Sequence, residues 1–223
     1  LVADAAWFAQ MPGNWQWRIE KRSKHTGLLD GAFGTGGVVT SNPSTGIDFA
    51  HAIVLDSIAL YVAGYDESPG AGNSQWRVEK RSLTTGTLVP GFGVGGVATS
   101  NPSAGQDTVW GASTDGIDLY VVGRDVALGN DQWRIEKRNL NTGALVTLFG
   151  TNGVVQSNPS AGSDIARAIA VNGAALFIVG EDQAFGSDQW RIEKRNPVNG
   201  AVFSNFGIGG AATSAPSAGA DFV

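Results

Sequence analysis

Three positions in the chain combine chemical reach with small neighbours. His51, Trp110 and Arg167 each stand third after an aspartate, flanked by Ala50 and Ala52, by Val109 and Gly111, and by Ala166 and Ala168. A histidine changes charge near neutral pH, an indole stacks, and a guanidinium clamps carboxylates or phosphates. Three large, different side chains rising from a small-residue wall form a candidate ligand site. A second set, Tyr65, Arg124 and Glu181, directly precedes Asp66, Asp125 and Asp182, which open the loops DESPGAGN, DVALGND and DQAFGSD. Loops on a rigid scaffold are the usual place for binding residues.

Other chemistries find less support. The loop acids are candidates for Ca²⁺, a hard cation that takes several oxygen ligands, although no EF-hand spacing is present. With no Cys and two His, zinc is disfavoured. A Ser/His/Asp set would have to use His51, and no G-x-S-x-G elbow occurs. The turns FGTGG, FGVGG, FGTNG and FGIGG lead into strands rather than helix N-termini, which disfavours a phosphate cradle. No cofactor is expected.

The elements that position these residues come from a repeat. QWRIEKR at 16–22 returns at 132–138 and 189–195, and as QWRVEKR at 75–81; the tryptophans are 59, 57 and 57 residues apart. One unit, 130–186, contains four strand-like runs: QWRIEKRN, GVVQSN, DIARAIAV and AALFIVGE. NTG, FGTNG, NPSAG and VNG punctuate them, and no run has the 3.6-residue stripe of a helix. Within QWRIEKR, Trp133, Ile135 and Lys137 point one way, and Arg134, Glu136 and Arg138 the other.

A four-stranded unit that cannot bury both faces alone must stack on copies of itself. The expected fold is therefore all-β: one β-propeller domain over 1–223, built from four repeated four-stranded antiparallel blades. The blades are predicted at 48–99, 107–157 and 164–214, with a fourth made of 5–41 closed by 221–223. The tail Ala220-Asp221-Phe222-Val223 matches the start of the DIARAIAV strand, and Val2 to Phe8 match Val171 to Phe177. That phase match predicts closure by the C-terminal strand.

The order of these phrases resembles the delta-60 type repeat of bacterial secreted and surface proteins, which is taken to form propeller blades. The matching residues are Phe149 to Val154, Asp164 with the alanines after it, the LFIVG run, and the strand leading into NTG. Here that strand ends Glu-Lys-Arg, where the family has an aromatic end before its Asn. The resemblance implies a fold and an extracellular or cell-surface setting, and transfers no catalytic residues.

Charge is segregated. Twelve of the 15 basic residues lie in the four motifs, and outside them 16 acids face 3 bases. The expected role of the motif is blade-to-blade packing: Trp and Ile fill the joint while the arginines bridge to Glu or stack on Trp. A net charge of −5 argues against nucleic acid, and the short apolar runs argue against membrane insertion. The functional expectation is a non-enzymatic secreted or cell-surface module that binds a protein or glycan partner or assembles with itself. The alternative is a propeller enzyme of the lyase, hydrolase or quinoprotein kind, using His51, Trp110 and Arg167.

Overall fold

A computed structural model describes residues 2–5, 14–217 and 219–221. Among these residues the turns delimit fifteen strands in four antiparallel sheets, each a simple meander. The first sheet holds β1 (Val2–Ala5), β2 (Trp17–Arg22) and β3 (Val38–Ser41). The second holds β4 (Phe49–Leu55), β5 (Ala59–Gly70), β6 (Asn73–Ser82) and β7 (Val97–Ser100). The third holds β8 (Thr108–Thr114), β9 (Asp118–Asp125), β10 (Gln132–Asn139) and β11 (Val154–Ser157). The fourth holds β12 (Ile165–Asn172), β13 (Ala175–Asp182), β14 (Gln189–Arg195) and β15 (Ala211–Ser214). No helix occurs among the described residues, so none is long and apolar enough to cross a membrane. The all-β expectation holds, and each predicted run of the 130–186 unit is a strand.

Internal contacts divide the chain into two compact units: Leu1–Val109 with Asn141–Gly143, and Trp110–Leu140 with Ala144–Val223. In the first, Trp17, Ile19 and Phe33 of the first repeat pack on Leu60 and Val62 of β5. In the second, Trp133, Ile135, Phe149 and Val155 pack on Ala166, Leu176 and Ile178 of the fourth sheet. Alternation along β2 and β10 thus delivers Trp and Ile to a sheet-on-sheet core. Burying an aromatic or branched side chain there stabilises by about 1.5–3 kcal/mol.

The turn before each last strand, F-G-x-G-G in three copies and F-G-T-N-G in the third, needs its first glycine. Gly150 sits at φ 55, and a Cβ there would run into the Val154 carbonyl. The residue after it is free to vary and points outward: Val94 is 88% exposed and Ile208 93%.

The first sheet departs from its copies. Opposite the last motif arginine stand Leu60, Leu119 and Leu176 in the later sheets, and the sequence match puts Trp7 there; instead Val2 pairs with Arg22. Register is set by turn length and side-chain pattern. Residues 6–13, between β1 and β2, lie outside the described residues. Trp7, and the Phe222 and Val223 expected to complete this sheet, lie outside the described residues.

Candidate functional site

The repeated motif is consumed by structure. In β6, Arg77 Nε and Arg81 Nε donate to the two oxygens of Glu79 at 2.8 and 2.7 Å, and Ser41 Oγ of the first sheet donates to the same carboxylate at 2.6 Å. The fourth sheet repeats this with Arg191 and Arg195 on Glu193, and with Ser157 Oγ of the third sheet at 2.7 Å. Burial pushes the Glu193 carboxyl up, but Arg195, Ser157 and Arg191 together pull it below its ordinary value. A buried charge must be paired in this way. Across each joint, Arg77 lies 5.8 Å from the Trp17 ring centroid and Arg191 6.0 Å from that of Trp133. The indole N–H groups donate to the backbone carbonyls of Tyr65 and Glu181. Arginines bridging to Glu and stacking on Trp are as the sequence suggested.

The motif glutamine has its own task. Gln75, Gln132 and Gln189 donate to Asp66, Asp125 and Asp182 at 2.9, 2.5 and 2.6 Å. The same carboxylates accept the backbone N–H of Ser68, Ala127 and Ala184, two residues on. All three aspartates are fully buried. They therefore brace the hairpin from inside, not from the loop surface where the sequence placed them. The clue was available: Asp and Gln recur together while the loop between them varies.

Asp48, Asp107 and Asp164 form a second buried row. Each accepts the hydroxyl and the N–H of the serine four residues before it, Ser44, Ser103 and Ser160. Burial raises the carboxyls of Asp48 and Asp164, and Asp66 and Asp182 beside them push in the same direction. These acids shape the entry to β4, β8 and β12. Among the described residues no group of three or more His, Cys, Asp or Glu side chains is arranged to hold a metal ion.

The variable positions meet in pairs. Phe49 lies opposite Tyr65 and Ile165 opposite Glu181, and just beyond each pair the register slips, leaving His51 and Arg167 as the extra residues of β-bulges. A bulge re-aims the side chain it carries. Gly64 and Gly180 make room, since a Cβ on either would run into the carbonyl of Phe49 or Ile165. The two columns singled out in the sequence, one as a ligand site and one at the loop openings, are thus neighbours within one sheet in these two cases.

Their contents differ. In the second sheet His51 stacks on Tyr65 at 5.6 Å and on Phe49 at 5.8 Å, and Trp15 adds a fourth ring 5.1 Å from Phe49. In the fourth sheet Arg167 donates through Nε and Nη2 to Glu181 Oε1, and its guanidinium lies 4.5 Å from the Trp110 ring centroid. Arg124 pairs with Asp131 at 2.7 Å, and Ser163 Oγ donates to the same oxygen. His51, Tyr65, Trp110, Arg124 and Arg167 are half-buried, whereas Glu181 is buried. One backbone device therefore carries an aromatic stack in one sheet and an ion pair beside an indole in another. Neither protein-family models nor curated proteins compared with this chain match it.

Proposed function

We propose that the four sheets are blades of a β-propeller, and that the protein is a non-enzymatic module that presents its variable pairs to a protein or glycan partner. One observation carries this reading: the residues common to the repeats are engaged in joints and hairpin braces, while His51 with Tyr65 and Arg167 with Glu181 differ on the same bulged backbone. Aromatic faces and a partly accessible guanidinium suit sugar rings, carboxylates or peptide side chains. A secreted or cell-surface setting follows from the delta-60 resemblance alone.

The test is calorimetric titration with a panel of neutral and acidic oligosaccharides and peptides against the wild type, His51→Ala and Arg167→Ala. A ligand whose affinity falls about tenfold in either variant, ~1.4 kcal/mol, supports the reading. A catalytic turnover abolished by His51→Ala would overturn it.

A further inference from the structure

The chain contains three Asn-Gly dyads, Asn152-Gly153, Asn172-Gly173 and Asn199-Gly200, all in the second unit. Such a dyad can modify itself, because glycine has no Cβ to keep its backbone nitrogen away from the asparagine side chain. The nitrogen must also lose its proton, which a hydrogen bond holds in place. That requirement separates the three.

Two of the dyads are locked. The Gly153 N–H donates to the Phe149 carbonyl at 2.9 Å, and the Gly200 N–H to the Asn196 carbonyl at 2.8 Å. Both glycines are buried, and a Cβ would run into Leu145 on the one and Val155 on the other. The Asn199 side chain is itself engaged, accepting the Ala201 N–H at 3.0 Å.

The third dyad is open. Asn172 pairs with Ala175 at the end of the β12–β13 hairpin, leaving Gly173 and Ala174 as a two-residue turn with Gly173 at φ 42. A glycine of positive φ at the first central position is what a type II′ turn requires. Among the described residues neither the Gly173 N–H nor the Asn172 side chain makes a hydrogen bond, and both residues are exposed. A Cβ on Gly173 would meet nothing within 4 Å.

Other copies hold this position fast. Asp115, between β8 and β9, stands where Asn172 does and also precedes a glycine; its carboxylate accepts the N–H groups of Ile117 and Asp118 and the Tyr120 hydroxyl. Asp56, between β4 and β5, is held in the same way by Ile58, Ala59 and Tyr61. In the fourth sheet Phe177 replaces the tyrosine, and Asn172 is left unheld.

We propose that Asn172 is a self-modification site. The Gly173 nitrogen gives its proton to hydroxide and attacks Asn172 Cγ. As that C–N bond forms, the Cγ–Nδ2 bond breaks, and the amide nitrogen takes up a proton and leaves as ammonia. Water then opens the cyclic imide at either carbonyl, giving aspartate or isoaspartate with no change of oxidation state. The aspartate product supplies the carboxylate that Asp56 and Asp115 supply elsewhere. The isoaspartate product lengthens the main chain by one carbon within the hairpin that carries Arg167 and Glu181.

Trypsin places the three dyads in separate peptides, 139–167, 168–191 and 196–223, so mass mapping with fragmentation and an isoaspartate methylation assay reads each one. When the folded chain is held at mildly alkaline pH, 168–191 should lose its amide at Asn172 while Asn152 and Asn199 keep theirs. In denaturant all three should convert at comparable rates. Asn172→Gln, whose longer side chain disfavours the ring, should abolish conversion of 168–191 and leave the unfolding midpoint unchanged. Conversion at Asn152 or Asn199 ahead of Asn172 in the folded chain, retention of the Asn172 amide there, or the same ranking in denaturant overturns the proposal. So does a lowered midpoint in the variant, which would show that the Asn172 side chain is held.

Discussion

The Arg-x-Glu-x-Arg strands and the bulged positions at His51 and Arg167 are built on the same four-stranded scaffold and treat charge in opposite ways. In the strands, Glu79 and Glu193 are each held by two arginines and a serine from the adjoining sheet, and the pattern is the same in both units. At the bulges, the backbone is reproduced but the chemistry is not, with stacked rings in β4–β5 and an ion pair in β12–β13. Sameness marks what the architecture requires. Difference marks where side chains can change without disturbing the sheet.

The sharpest way to break this contrast is Trp133→Ala. Removing a fully buried indole that accepts Arg191 on its face and donates to the Glu181 carbonyl should cost about 3–5 kcal/mol in denaturant unfolding. Gln132→Ala should cost less, about 1–3 kcal/mol, because it leaves Asp125 with one fewer donor in a buried brace. His51→Ala, which removes ring stacking on Phe49 and Tyr65 at a half-buried position, should lie near 0.5–1.5 kcal/mol. If His51→Ala proved as damaging as Trp133→Ala, the division between joint and variable position would collapse.

Acid sharpens the same contrast with the smallest effect. The folded-state value of Glu193 is lowered, so its contribution is present above the unfolded value, near 4.5, and is lost as pH falls through the lower folded value. Stability should therefore fall below about pH 4.5, and Glu193→Gln should flatten that slope while lowering stability at pH 7. Asp48 and Asp164 run the other way: their values are raised, so their ionisation opposes folding as pH climbs through the unfolded value near 3.8 towards the folded one. Asp164→Asn should reduce that opposing slope, as read from unfolding midpoints across the acid range.

Much of the fold was legible because the repeat states each strand several times over. The alternation of Trp133, Ile135 and Lys137 against Arg134, Glu136 and Arg138 already assigns one row to the core and the other to an ionic joint. What the sequence hid was pairing between distant residues. The Asp125–Gln132 brace needs the β9–β10 hairpin register, in which these two residues lie opposite each other. The bulges were invisible for a related reason. A single extra residue in β4 or β12 leaves the apolar pattern nearly intact, and the only local sign is a glycine, Gly64 or Gly180, across the ladder. The register of β1 lay beyond pattern reading, since a four-residue segment carries too little side-chain information to fix its partner.

The outward residue of the F-G-x-G-G turn offers a use of a different kind. Val94 and Ile208 project from equivalent, rigidly closed turns in separate units, and the chain contains no cysteine. Cysteines placed at these two positions would be the only thiols in the molecule, each on a short tether of known geometry. A pair of spin labels or fluorophores there would turn the protein into a reporter of the separation of its own two units in solution.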